Sequence, residues 1–138
     1  MADPVSAASG ILALVVFAFQ SSKYLYEAVS SFQSNQRTVR ELREELEALN
    51  EVLESLKQTA AREDVDFTSL KLPLRRCGRA CEDFKREIEN CAKHSNGSRT
   101  SFRDWAKLRY MGDDITGFKN VLASYKSTII IALGDANV

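Results

Sequence analysis

The sequence predicts an all-α fold, an antiparallel bundle of four to five helices with a buried hydrophobic N-terminal helix. Three observations carry that expectation. Apolar residues recur at alternating steps of three and four in three stretches: Val39, Leu42, Leu46, Leu49, Leu53, Leu56; then Leu70, Leu74, Cys77, Cys81, Phe84, Ile88, Cys91; then Leu108, Met111, Ile115, Phe118, Leu122, Tyr125, Ile129. That spacing sets a single stripe along one side of an α-helix, with a period near 3.5 residues. Next, the opening stretch from Val5 to Phe19 is apolar almost all round. Finally, two prolines and six glycines in 138 residues leave long uninterrupted segments, which favours helices over a turn-rich β fold. A chain of this length forms one domain with a sizeable core, residues 1–138.

The first helix starts at Asp3-Pro4. Aspartate accepts from free backbone N–H groups, and proline suits the first helical position. The helix runs through Ile11 and Phe19 to about Phe32. Its first half has no polar face, so it needs cover on most sides. Ser34-Asn35 interrupts the pattern, and helix two covers about Gln36 to Ala61. Its outer face is charged, and Arg40–Glu44 and Arg43–Glu47 are spaced to pair.

Residues Arg62 to Ser69 read as a polar connection. Pro73 is tolerated only in a first turn, because its missing N–H is not needed there. Helix three therefore starts near Leu72, or a short turn around Leu70 precedes it. It ends near Lys93, and His94 to Ser98 form a loop. Thr100 or Ser101 caps the last helix, which Trp105 anchors in the core. A bend near Gly112 is the alternative to one continuous helix. The helix runs out near Leu133, where Gly134 can end it.

Composition narrows the function. Lys plus Arg equals Asp plus Glu, 19 each, so the charge balance does not point to nucleic acid. Three cysteines, an odd number, argue against a disulfide framework. Their helical spacing suits reduced core thiols. Of the four positions that could be imagined as a zinc site, Cys77, Cys81, Cys91 and His94, the three cysteines spread over roughly 20 Å of one helix, too far to converge on a metal. A single histidine in a polar loop supports no nucleophilic triad, and isolated glycines make no phosphate loop. No cofactor, metal, catalytic activity or small-molecule substrate is expected.

Contacts must then carry the function, and two sets of residues are candidates. Pro4 to Ser22 is nineteen residues without charge, against about 20 apolar residues needed to span a bilayer. Its strongly apolar part holds Ile11, Leu12, Leu14, Val15, Val16, Phe17 and Phe19. Two outcomes fit: a central buried helix, or a helix buried at rest and released into membrane on activation. Arg99, Arg103, Lys107 and Arg109 form a basic patch beside Phe102 and Trp105. It reads as a solvated face, or as a site for an acidic partner or anionic lipid head groups. Positive charge ahead of the apolar run and a good cleavage site are both lacking, which argues against a secretory signal. A cytoplasmic protein is expected, one that relocates to a membrane when the first helix is released.

Several segments together carry a family resemblance along nearly the whole chain. They are Met1-Ala2-Asp3-Pro4 with Ser6-Ala7-Ala8-Ser9-Gly10-Ile11, Gln36-Arg37-Thr38-Val39 leading into Leu46-Glu47-Ala48-Leu49-Asn50, and Leu70-Lys71-Leu72-Pro73-Leu74 leading into Cys77-Gly78. Phe102-Arg103-Asp104-Trp105-Ala106-Lys107 and Tyr125-Lys126-Ser127-Thr128-Ile129 complete the set. The chain resembles the fungal N-terminal domains of STAND proteins, the NOD-like receptors of filamentous fungi. It is similar in particular to the subgroup named after the azaphilone pigment cluster protein L. The resemblance implies a helical domain at the front of a larger receptor, with kinship to HeLo-like domains. Those are thought to execute cell death by attacking membranes through the first helix; by that analogy the matching positions here are the apolar ones from Ile11 to Phe19. Self-association, or contact with another protein, is the partnership it implies. A passive helical adaptor, working through the charged face of helix two or the basic patch, is the competing expectation.

Overall fold

The computed structural model describes residues 4–31, 37–62, 64–93 and 111–136. Four α-helices account for most of them: α1 Pro4–Ser30, α2 Arg37–Ala60, α3 Lys71–Lys93 and α4 Met111–Ala136. A 3-10 turn, Thr68–Leu70, precedes α3. No strand occurs among the described residues. The capping residues Asp3, Thr100 and Ser101, the loop at 94–98, the break at Ser34-Asn35 and the Trp105 anchor lie outside the described residues.

Burial follows the predicted period. On α2 the buried residues are Val39, Leu42, Leu46, Leu49, Leu53, Leu56 and Ala60. On α1 they include Ile11, Val15, Ala18, Ser22, Leu25 and Val29; on α3, Leu74, Cys77, Cys81, Phe84 and Ile88. On α4, Ile115, Leu122 and Ile129 are buried, with Phe118 and Tyr125 packed beside them. Every stripe alternates steps of three and four, the pattern of helices meeting side by side at shallow angles.

The contacts fix which helices are neighbours and how they run. Helix α1 packs on α2 and α3, α2 packs also on α4, and α3 touches α4 more lightly. The first two helices are joined by a short link, so they run antiparallel. Phe17 meets α3 at Gly78 and Tyr24 meets it at Lys85, so α1 and α3 run parallel. Glu41 pairs with Lys119 and Glu45 with Lys126, so α2 and α4 run parallel. The Phe84 and Phe118 rings meet edge to face at 4.2 Å, and Tyr125 lies in the field of Cys77, so α3 and α4 run antiparallel. The corner order is therefore α3, α1, α2, α4, with α2 and α3 on opposite corners. Helix α1 is buried along one stripe and occupies a corner, not the bundle axis. The four described helices, of similar length, enclose the described core between them.

The link from α2 to α3 must cross the end of the bundle. Phe67 and Leu70 are buried there. Asp66 Oδ1 accepts from the Thr68 N–H at 2.9 Å and from the Thr68 hydroxyl, and the Leu70 N–H donates to the Phe67 carbonyl at 2.8 Å. A short turn thus precedes the helix, and Pro73 falls in the first turn of α3, where its lost donor costs nothing. Two expectations need correction. Helix α4 runs through Gly134 to Ala136, because a single glycine costs only about 1 kcal/mol and does not stop a packed helix. Arg40–Glu44 and Arg43–Glu47 are not ion pairs among the described residues; Arg37 pairs with Glu41 instead, at 2.8 Å. Exposed pairs are worth so little that small differences in side-chain packing decide which one forms.

Candidate interaction surface

Each apolar residue proposed on the first helix has a distinct place. Val15 is fully buried and Ile11 nearly so. Leu14 and Phe19 are partly buried against the core, and Leu12, Val16 and Phe17 are half-buried. Ala13 and Gln20 are exposed. The helix thus has an inner face and a graded flank. The second candidate set, Arg99, Arg103, Lys107 and Arg109, lies outside the described residues.

Between α1 and α3 runs an open groove of 310 Å³. Phe17 and Tyr24 form its apolar wall, and Glu82, Lys85, Arg86 and Glu89 line the α3 side. The Lys85 ammonium stands 5.6 Å from the Tyr24 ring centre and pairs with Glu89 at 3.2 Å. The Phe17 ring closes over Gly78, and a Cβ added there would lie within 2.9 Å of its Cζ. A groove this open suits a surface contact better than enclosure of a small molecule.

Three large apolar side chains lie exposed on α4, among small polar residues such as Asn120, Ser124, Ser127 and Thr128. Val121, Ile130 and Ile131 are exposed, Ile131 to 65%. Lys119 and Lys126 turn inward to Glu41 and Glu45, the second pair at 2.9 Å. Between Asn120 and Gly134 no other charge is present. The sequence held the signal: three consecutive isoleucines, Ile129 to Ile131, stand about 100° apart on a helix and cannot all face one core.

Titratable groups are tuned by pairing at the surface. Hydrogen bonds from Lys119 and then Arg37 hold Glu41 below its ordinary value, and the Thr68 hydroxyl and N–H do the same for Asp66. These two contribute stability above the unfolded carboxylate range and lose it as pH falls through their depressed values. Cys77 and Cys81 are buried free thiols. The hydrogen bond shared with Cys77, then burial, pushes the Cys81 thiol well above its ordinary 9.0. Its contribution therefore declines as pH rises past 9.0, where the unfolded thiol ionises first. Neither Cys77 nor Cys81 is expected to react with iodoacetamide in the folded protein, and both should react in denaturant. Peptide mass spectrometry after alkylation checks this; rapid native labelling at Cys81 would contradict its burial.

Among the described residues no group of three or more His, Cys, Asp or Glu could hold a metal ion. No described helix is long and apolar enough to cross a membrane. Comparison with protein families matches residues 2–138 to the family described as pigment biosynthesis cluster protein PigL N-terminal. Searches of curated proteins and of solved structures return no match.

Proposed function

This chain belongs to the PigL N-terminal family, and from that premise we propose that it is the effector or signalling domain at the front of a fungal NOD-like (STAND) receptor, acting by self-association. The observation that carries the reading is a closed core with large apolar side chains left outside it. Tyr24, Leu72, Val121, Ile130 and Ile131 are each at least 40% exposed. Exposed apolar groups beside open grooves are the raw material of protein contacts.

In the finer part of the proposal, the domain rests in the cytoplasm and α1 moves to a membrane surface on activation. Its support is the uncharged run from Pro4 to Ser22 and the half-buried side chains of Leu12 and Val16 on one flank of α1 and Phe17 on the other. A helix too short in apolar length to span would lie in the interface, with its apolar face among the acyl chains. The passive adaptor reading predicts neither behaviour.

Sedimentation of the purified chain at rising concentration tests the core of the proposal, with leakage of phosphatidylserine vesicles read on the same samples. Oligomers together with leakage are expected. Oligomers without leakage remove the membrane step alone. A strict monomer that leaves vesicles intact overturns the proposal and favours the adaptor.

A further inference from the structure

Two charged stripes are left over after the internal pairing of the bundle. On α3, Leu72, Arg75, Arg76 and Arg79 fall within about a 100° arc and all are exposed. Leu72 is 50% exposed. No acid interrupts the run from Lys71 to Cys81. On α2, Glu44, Glu47 and Glu51 are exposed along one line, with half-buried Glu54 at one end and Arg40 at the other.

Neither stripe is neutralised by the described residues. Arg75, Arg76 and Arg79, and Glu44, Glu47 and Glu51, form no ion pair among the described residues. Glu54 accepts from the Gln58 amide, at 3.5 Å. Several charges outside the stripes are matched: Asp83 with Arg86, Lys85 with Glu89, and Glu41 and Glu45 of α2 with the α4 lysines. A solvated helix face commonly mixes signs and closes pairs four apart. Arginine is among the residues enriched in protein interfaces, and here three stand around an exposed leucine.

The corner order places the stripes on opposite sides of the molecule. Resting on the self-association reading above, we propose that the Leu72–Arg79 stripe of one copy docks on the Glu44–Glu54 stripe of the next. The lengths suit each other, about 10 Å against about 15 Å. A closed two-fold dimer cannot use both faces of each copy, because they point apart. The contact is therefore head-to-tail, and it grows into an open or ring-shaped assembly.

The test compares the full 138-residue chain with two neutralised variants, Arg75→Gln/Arg79→Gln and Glu47→Gln/Glu51→Gln. Circular dichroism confirms that each is folded, as expected for exposed substitutions. Sedimentation is read at about 50 mM and about 500 mM salt, since screening weakens exposed charge contacts. The unaltered chain should form a concentration-dependent series at low salt that shrinks at high salt. Each variant alone should associate at least about tenfold more weakly. Mixed one to one, the two variants should form a heterodimer and nothing larger, because only one intact contact remains between them.

If the unaltered chain assembles and both variants assemble equally well, this docking is overturned while self-association stands. A monomer under all conditions overturns both. If Arg75→Gln/Arg79→Gln loses only its binding to phosphatidylserine vesicles, the basic stripe reads lipid and the proposal fails.

Discussion

Val15→Asp is expected to abolish the folded state. Val15 is fully buried in the stripe that α1 turns to α2 and α3. A carboxylate there must either stay ionised in an apolar core or take up a proton at a cost. An unpaired buried charge costs several kcal/mol even after local relaxation. A domain of this size has roughly 5–15 kcal/mol in total. Urea denaturation followed by circular dichroism should show little or no native baseline. An unchanged midpoint would mean that α1 is not packed as described. The neighbouring Val16→Asp should behave differently, since Val16 is only half-buried and its side chain can turn towards water. A loss of about 1–2 kcal/mol is expected there. Val16→Asp is therefore the variant that separates a membrane role of α1 from its structural role, because vesicle leakage can be measured on a folded protein.

Gly78→Val should be the second large effect. In a helix interior, replacing glycine normally relieves a cost of up to about 1 kcal/mol. Here even a Cβ would overlap the Phe17 ring. The parallel contact of α1 with α3 must then open, or the ring must leave its place over Gly78. Overpacking of this kind costs about 1–3 kcal/mol. The double variant Phe17→Ala/Gly78→Val should recover part of the loss, since truncating the ring vacates the space that the added isopropyl group needs. A thermodynamic cycle should give a coupling of about 1 kcal/mol or more between the two positions. Strict additivity would show that the ring and the glycine are not in contact.

The helices were legible in the sequence because the buried stripes share one helical period. Leu42, Leu46, Leu49, Leu53 and Leu56 announce α2 and its inner face together, and all are buried. Pro73 announced the start of α3 because its chemistry permits few places in a helix. The arrangement of the helices was less legible. A stripe says that a helix buries one side, not which helix covers it, so the parallel pairing of α1 with α3 had no sequence signature apart from the small residue Gly78. The ion pairs were misread for a related reason. Spacing along one helix reveals Arg40 and Glu44, but not that Lys119 and Lys126 from α4 meet Glu41 and Glu45. Part of the candidate surface was visible, as the apolar run from Ile11 to Phe19. The arginines of α3 were in plain view, but that Arg75, Arg76 and Arg79 form no ion pair with the described residues becomes apparent only in three dimensions.

Placing α2 and α3 on opposite corners has a kinetic consequence. The chain cannot begin by zipping these consecutive helices into a hairpin. Phe17 must instead find Gly78, about 60 residues further along. Closing a loop that long costs about 1.6 kcal/mol more than closing one of about 10 residues. Folding should accordingly be slow for a helical protein, with its rate governed by the search for that distant partner.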